Sequence, residues 1–467
     1  MSALRSLAAA PAGGPRVVVI GGGASGTLVA LATLRALANA AVTVVEPRPQ
    51  LGRGLAYSTL DPRHRLNVPA GSMSALPDDP GHFVRWAGAH HRSVSPLWFA
   101  PRPTYGRYLA ASLREAAAQA PAAELRHART SATSVEPAGD RWRVRLEGGA
   151  DLAADEVVLA VGYGPAAPPS GLPPALLEHP SYIADPWRPG ALDAASGDVL
   201  CLGTGLTAVD AVLALADADL GRRIVCVSRT GLRPLAHRTG GASPAPRAST
   251  LRPVTALGLL RSVRAEVALA AERGGDWRDV VNGLRPHVNE LWAALPAPER
   301  ERFSRRLARF WEVHRHRVSP PIANRLESLE EDGQLQFLCA RVEDVESRGS
   351  QLRLILSGGP GERRQLEVGA VINCTGAAAS IPAHPLLGRL AVAGLCAPGP
   401  LGLGVATTGD GQLLDGYGVA TGISTLGPLR RGDLWETTAV PEIRRQAFAI
   451  AHGLAARAGD RGHRRAG

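Results

Sequence analysis

The sequence predicts an α/β fold made of two similar βαβ units, with a helical insert in the second. Three observations carry this reading. Two short apolar runs, the β-branched Arg16–Ile20 and Val199–Leu202, each pass straight into a glycine turn, "GGGASG" in the first and "GTGLTA" in the second. Each turn opens a helical stretch, "TLVALATLRALANA" and "AVDAVLALADA". Each helix is followed by another apolar run, "AVTVVE" ending at Glu46 and "RRIVCVSRTG" containing Ser228 and Arg229. Near-continuous apolar strands alternating with helices indicate a parallel sheet covered on both faces.

In the first unit Gly21 permits the tight turn, Gly23 lets the backbone approach a pyrophosphate, and Gly26 lets the helix pack close to the strand. Glu46 follows about 20 residues on, where a carboxylate takes ribose hydroxyls and favours FAD or NAD over NADP. The plain alternative is that the glycines serve only a tight βα turn. In the second unit Gly203, Gly205 and Ala208 repeat the pattern, and the place of Glu46 is held by Ser228 and Arg229, a pair suited to a 2'-phosphate. The alternative there is an ordinary surface arginine. Together the units read as two Rossmann-like dinucleotide-binding domains, with FAD held by the first and NADPH visiting the second to reduce it. "ADEVVLAVGYGPAAPP" and "GAVINCTGAAASIP" read as strands where the chain crosses between them. The expected domains are an FAD-binding part at 1–165, an NADP-binding domain at 166–370 with its helical insert at about 251–320, and an FAD-binding return segment at 371–467.

Composition narrows the function. With 467 residues and 45% hydrophobic content the chain supports two or three sizeable cores. No run approaches the roughly 18 apolar residues of a membrane span. The leader "MSALRSLAAAPAGG" reads as a frayed terminus rather than a signal peptide. Five cysteines, none in C-x-x-C spacing, suit buried thiols in a reducing cytoplasm and remove the disulfide-reductase class. The formal charge of +10 comes entirely from arginine against acids, since the chain has no lysine. Schiff-base chemistry is therefore excluded, and anions must be held by guanidinium forks. Aromatics, at 4%, are too sparse to act as base-stacking platforms among scattered arginines, so no nucleic-acid partner is expected. No metal ligand set is recognised, and a homo-oligomer stays open.

The motifs "GRGLAYST" (Gly52 to Thr59), "RLNVPAGSMSALPDDPGHFVRW" (Arg65 to Trp86), "DWRDVVNGLRPHVNELW" (Asp276 to Trp292), "HRHRVSPP" (His314 to Pro321) and "TLGPLRRGDLWETTAVPEIRRQ" (Thr425 to Gln446) carry a further signal. Over nearly the whole chain they resemble the two-dinucleotide-fold bacterial flavoproteins of the single-component N-hydroxylating type. The resemblance implies that Gly52 to Tyr57 and Asn67 to Met73 lie along the flavin, and that Gly427 to Glu436 closes over it. Where many relatives have Gly-Asp at the closing turn, this chain has Gly427-Pro428, which leaves the ribityl contact unassigned.

An NADPH site favours monooxygenation over substrate dehydrogenation, because a monooxygenase must be re-reduced every turnover. The cofactor carries that chemistry, so no catalytic side chain is assigned. The substrates expected are molecular oxygen and a small amine bearing carboxylates, such as an acidic amino acid. Arg65, Arg315, His316, Arg317 and Arg430 are the candidate substrate-binding residues, with a flavin oxidase, dehydrogenase or non-oxygenating redox partner as alternatives. For the insert, Leu260, Val263 and Val267, then Phe303, Leu307 and Phe310, show helical spacing and are expected to be core. His314 to Arg317 reads either as an anion grip or as a solvated basic helix end. The Gly/Ala/Arg-rich tail after Gly453 is expected to be unstructured.

Overall fold

A computed structural model describes residues 14–164, 166, 168–240, 254–359, 361–376, 381–382 and 384–466. The leader at 1–13 and the start of the insert at 251–253 lie outside the described residues. The chain forms two compact units, one of Met1–Leu60, Pro69–Gly164 and Ala379–Gly467, the other of Asp61–Val68 and Pro165–Ala378.

The first unit is built on a six-stranded sheet in the order Gln412–Leu414, Ala420–Thr425, Glu156–Leu159, Arg16–Ile20, Ala41–Val45, Glu124–Ala128, with only the first pair antiparallel. Val17, Val19, Val42, Val44, Val157 and Val158 are fully buried, as β-branched residues should be in strands covered on both faces. The helix Ala24–Ala36 lies in the interior, with every residue from Ser25 to Leu34 buried, so its apolar character runs all round. It packs against the helices Arg102–Gln119 and Val440–Ala466.

That last helix corrects the expectation of an unstructured tail. Ala447, Ile450, Ala451 and Leu454 recur at helical spacing and bury one face. Beyond them Arg457 and Arg461 both pair with the buried Glu156, Arg457 at 3.0 Å, tying the end of the chain to a central strand. An antiparallel sheet of Ala132–Ala138, Arg141–Leu146 and Asp151–Ala154 completes the unit.

The second unit holds a parallel sheet in the order Leu335–Cys339, Ile224–Ser228, Val199–Leu202, Ala370–Asn373, Tyr182–Ile183. It also holds an antiparallel sheet of Arg341–Arg348, Gln351–Ser357 and Arg363–Val368. Two boundaries differ from the sequence reading. Ala370–Asn373 needs parallel neighbours on both edges and finds them in this sheet, so the chain re-enters the first unit only after residue 378. Asp61–Val68 also belongs here. Arg63 pairs with Asp217 at 2.9 Å, the His64 ring donates to the Asp210 carbonyl at 3.0 Å, and the His237 ring donates to the Asn67 carbonyl at 2.9 Å.

The insert is helical, running through Ala256–Glu272, Trp277–Leu284, Val288–Ala294, Ala297–Arg306 and Ala308–Arg315. Val263 and Val267 pack against Val280 and Leu284. Phe303 is buried, but Phe310 is 51% exposed, because the backbone breaks at Leu307 and the spacing spans two helices rather than one face. Among the described residues, no helix is long and apolar enough to cross a membrane.

Candidate nucleotide sites and an arginine cluster

The two glycine turns are bonded alike. Gly21 N–H donates to Val45 O at 2.8 Å and Ala160 N–H to Ile20 O at 2.8 Å; Gly203 N–H donates to Val227 O at 2.7 Å and Cys374 N–H to Leu202 O at 2.8 Å. Gly21 and Gly203 have φ of 102° and 115°, and a Cβ on either would fall 2.4 Å from Ala160 O or 2.6 Å from Cys374 O. Only glycine fits such a turn. Both turns leave the carboxyl end of a central strand where the strand order reverses, the place at which open α/β sheets take their ligands. The helices that follow, Ala24–Ala36 and Leu206–Ala218, are each 13 residues long and start at Gly23 and Gly205 with no side-chain cap. Their first amides have no side-chain acceptor from the cap residue, which suits a pyrophosphate.

In the first unit a Cβ on Gly26 would lie 1.8 Å from Gly21 O, so helix and turn are in backbone contact. Gly54 packs on Gly23, and Gly52 packs on Gly106. Glu46 is buried and its carboxylate accepts from Gly22 N–H at 2.9 Å and Arg48 N–H at 3.1 Å, so it braces the turn from below. Tyr57 stands edge-on to Tyr105 at 4.9 Å, its phenol pushed up to about 12 by burial, and Met73 is buried. Gly427 lies against the start of the first helix, where an added Cβ would meet Ser25 Oγ at 2.9 Å. Its N–H donates to Gln446 Oε1 at 3.0 Å, and its carbonyl accepts from the Thr437 hydroxyl at 2.9 Å. Asn67 stands apart from this group: it lies in the second unit with its carbonyl on His237, so the stretch from Asn67 to Met73 is divided between the units.

In the second unit Ala208 is fully buried, with its methyl accommodated where the first unit has Gly26. The Ser228 hydroxyl accepts from Thr204 Oγ1 at 2.9 Å and from Gly231 N–H at 3.0 Å, and Arg229 is exposed beside it. The sequence reading missed Arg309. Its Nη2 lies 3.3 Å from Thr204 Oγ1 and 3.1 Å from Leu232 O, and a Cβ on Gly205 would sit 3.8 Å from both its terminal nitrogens. No local pattern distinguishes it from the other arginines; the fold of the insert brings it to the turn.

Arg315 and Arg317 are buried, which removes the solvated-helix-end reading for both. Arg317 donates to Asn282 Oδ1, its Nε has no partner, and its guanidinium lies 5.8 Å from the centre of the Trp277 ring, with Arg278 4.4 Å from the same ring. Arg278 pairs with Asp276 at 2.7 Å and donates to Ala236 O at 2.8 Å. Burial, with Arg317, Arg315 and Arg278, pushes the His237 ring down to about 4. Burial, with Arg315 and Arg278, likewise lowers Arg317 to about 10. Burial contributes most to both shifts; the neighbouring guanidiniums act in the same direction, and an anion beside them would offset that part. His316 is half-buried next to this cluster in sequence, and His314 is edge-on to Trp277 at 4.8 Å.

Arg65 is half-buried on the segment that joins the second unit. Arg430 is a correction. It is buried, with its guanidinium donating to Thr407 Oγ1 at 3.3 Å and to the carbonyls of Thr408 and Gly409 at 3.0 Å each, so it holds its own loop rather than facing a substrate. Cys339 is exposed where buried thiols were expected, while Cys201, Cys226, Cys374 and Cys396 are buried.

Residues 18–164 match the FAD-NAD(P)-binding family. No curated protein matches the sequence. Among solved structures the chain is similar to L-lysine 6-monooxygenase from Pseudomonas syringae, with 19% identity over 95% of this chain and 99% of that one and a TM-score of 0.65. It is similar to the ornithine hydroxylase of Pseudomonas aeruginosa, at 17% identity over 95% and 99% with a TM-score of 0.62. It is also similar to the ornithine N-hydroxylase of Kutzneria sp. 744, solved with reduced FAD, NADP+ and L-ornithine, at 16% identity over 95% and 100% with a TM-score of 0.61. At these identities the likeness is one of fold, and the FAD-NAD(P)-binding match lies mostly in the first unit.

Proposed function

We propose that this protein is an NADPH-dependent FAD monooxygenase that N-hydroxylates a small amine bearing carboxylate groups, an acidic amino acid such as aspartate. The observation that carries the first half is the second glycine turn, a full repeat of the first but lipped by Ser228, Arg229 and Arg309 instead of a carboxylate. A flavoprotein reduced by its own substrate has no use for a second dinucleotide fold with a cationic edge. In this reading Gly21, Gly23, Gly26, Glu46, Gly52, Tyr57, Met73 and Gly427 hold FAD, and Gly203, Gly205, Ala208, Arg229 and Arg309 hold NADPH. FAD, once bound, supplies the transfer of electrons to oxygen and of one oxygen atom to the amine.

The structurally similar proteins are named for ornithine and lysine, so an amine is the natural acceptor class. The buried guanidiniums of Arg315 and Arg317, with His316 and Arg65 as further candidates, favour an acceptor that also carries negative charge. The test is to follow NADPH oxidation, oxygen uptake and product mass with a panel of amino acids. Acidic amino acids should accelerate all three and gain one oxygen atom. Bleaching by a substrate without NADPH would make the protein an oxidase or dehydrogenase, and a flavin that NADPH does not bleach would make it a redox partner.

A further inference from the structure

Aromatic side chains make up only 4% of the chain, yet three of its six tyrosines gather with Phe83 and Trp86 in one part of the first unit. They form a continuous path. Ring centres lie 4.9 Å apart from Tyr57 to Tyr105, 5.6 Å from Tyr105 to Tyr108 and 5.4 Å from Tyr108 to Trp86, and Trp86 stacks on the exposed His90 at 4.3 Å. Phe83 touches both Tyr105 and Tyr108. The path begins beside the first glycine turn, because Tyr57 follows the Gly52–Gly54 bend that packs on Gly23.

The two buried tyrosines differ in one respect. The Tyr105 hydroxyl has no hydrogen-bond partner. Tyr108 Oη accepts from Ala75 N–H at 2.9 Å and lies 2.7 Å from His82 Nδ1, to which its O–H donates when that nitrogen carries no proton. The other ring nitrogen of His82 faces Glu115 Oε2 at 3.8 Å, on the exposed side of the helix Arg102–Gln119. The Ala75 N–H satisfies only the phenolic oxygen, so the buried O–H still needs an acceptor. The imidazole adds a base with an exit toward solvent.

We propose that Tyr108 is a redox-active tyrosine, the point at which an oxidising equivalent leaving the first nucleotide site is trapped. This rests on the reading that the first turn holds a flavin. Losing an electron makes a phenol a strong acid, so a tyrosine is readily oxidised only where its proton has an acceptor. When light excites a flavin held at the turn, Tyr108 gives it one electron by way of Tyr105 and Tyr57, and the flavin is reduced by one electron. Its phenolic proton passes from Oη to His82 Nδ1, leaving a neutral phenoxyl radical and an imidazolium facing Glu115. Tyr105, with no proton acceptor, serves only as a relay. Burial raises the Tyr108 phenol above its ordinary value, so the proton is still present to be transferred at neutral pH.

The experiment illuminates the purified yellow protein with blue light, using the excited bound flavin as the one-electron acceptor, and records the frozen sample by electron paramagnetic resonance. A colourless preparation would refute the flavin reading and is scored separately by its absorbance before illumination. In yellow protein we expect a tyrosyl radical whose splitting collapses when tyrosine is supplied ring-deuterated, which leaves the fold untouched. Tyr108→Phe should abolish it, and His82→Gln should cut its yield severalfold at unchanged flavin content. Yellow protein with no tyrosyl signal, or a signal that persists in both variants, overturns the proposal.

Discussion

Arg309 reaches from the helical insert to within 3.3 Å of the Thr204 hydroxyl, which sets a guanidinium across the mouth of the second glycine turn. In the proposed NADPH reading its neighbour is Arg229, directly after the strand Ile224–Ser228. The two positions make separate demands on a nucleotide. Arg309→Ala should raise KM for NADPH and NADH alike, because the pyrophosphate is common to both, whereas Arg229→Ala should raise KM for NADPH alone. Each loss should be roughly 1.5–3 kcal/mol, the range of a charge-assisted contact. Steady-state kinetics with both nucleotides decides it, and a nucleotide-independent effect of Arg229→Ala would remove that residue from the 2'-phosphate.

The first turn separates a binding glycine from a folding glycine. On Gly23 an added Cβ meets Gly54, with its Cα at 3.2 Å and its N at 3.8 Å, so Gly23→Val should fold and yet emerge colourless, its side chain filling the space of the pyrophosphate. On Gly26 the Cβ would lie 1.8 Å from a backbone carbonyl, so Gly26→Ala should lower Tm or prevent folding outright. Visible absorbance and thermal melting of the two variants distinguish the roles; a yellow Gly23→Val would sink the assignment of the first turn.

Removing Arg317 should trade binding for stability. Its guanidinium is buried, its Nε has no partner, and Arg315 and Arg278 oppose its charge. Arg317→Met keeps much of the volume and relieves that repulsion, so Tm should hold or rise while KM for a dicarboxylic amine increases by about tenfold or more. A variant with lower Tm and unchanged KM would make Arg317 a structural residue.

His237 predicts an acid-sensitive fold. The ring titrates at about 4 in the folded protein against an ordinary 6.5, so between these values the unfolded chain binds more protons. Its contribution is complete above about pH 6.5, shrinks as the pH falls toward about 4, and is then constant, with a total of at most about 3 kcal/mol. His237→Gln, which keeps a donor for the Asn67 carbonyl, should flatten this part of the stability–pH curve. Denaturant melts from pH 4 to 8 measure it.

The turns and their strands were legible because their causes are local: a β-branched run, a glycine with positive φ and a helix are written within about 20 consecutive residues. The arginines were not. Arg317 and Arg430 are both buried and both sit in motif-like segments, yet one faces other cations and the other is spent on Thr407, Thr408 and Gly409, a difference made by distant backbone. Arg309 carried no local signal at all. The tail misread as unstructured is held by Glu156, some 300 positions away in sequence, and composition cannot report such a partner. Phe310 failed for the opposite reason: the spacing was right, but the helix broke at Leu307.

The short passage Asp61–Val68 has a consequence for how such a chain can evolve. Because it leaves the first unit and returns, and the chain crosses again at residues 164 and 378, neither unit corresponds to one uninterrupted stretch of gene. A single recombination breakpoint placed between the two glycine turns would deprive the first unit of the strand Ala420–Thr425 and the helix that anchors on Glu156. Placed after Asn67, it would also strip the second of the carbonyl that His237 holds. A single crossover therefore cannot exchange either unit whole, since each is assembled from separate stretches of the chain.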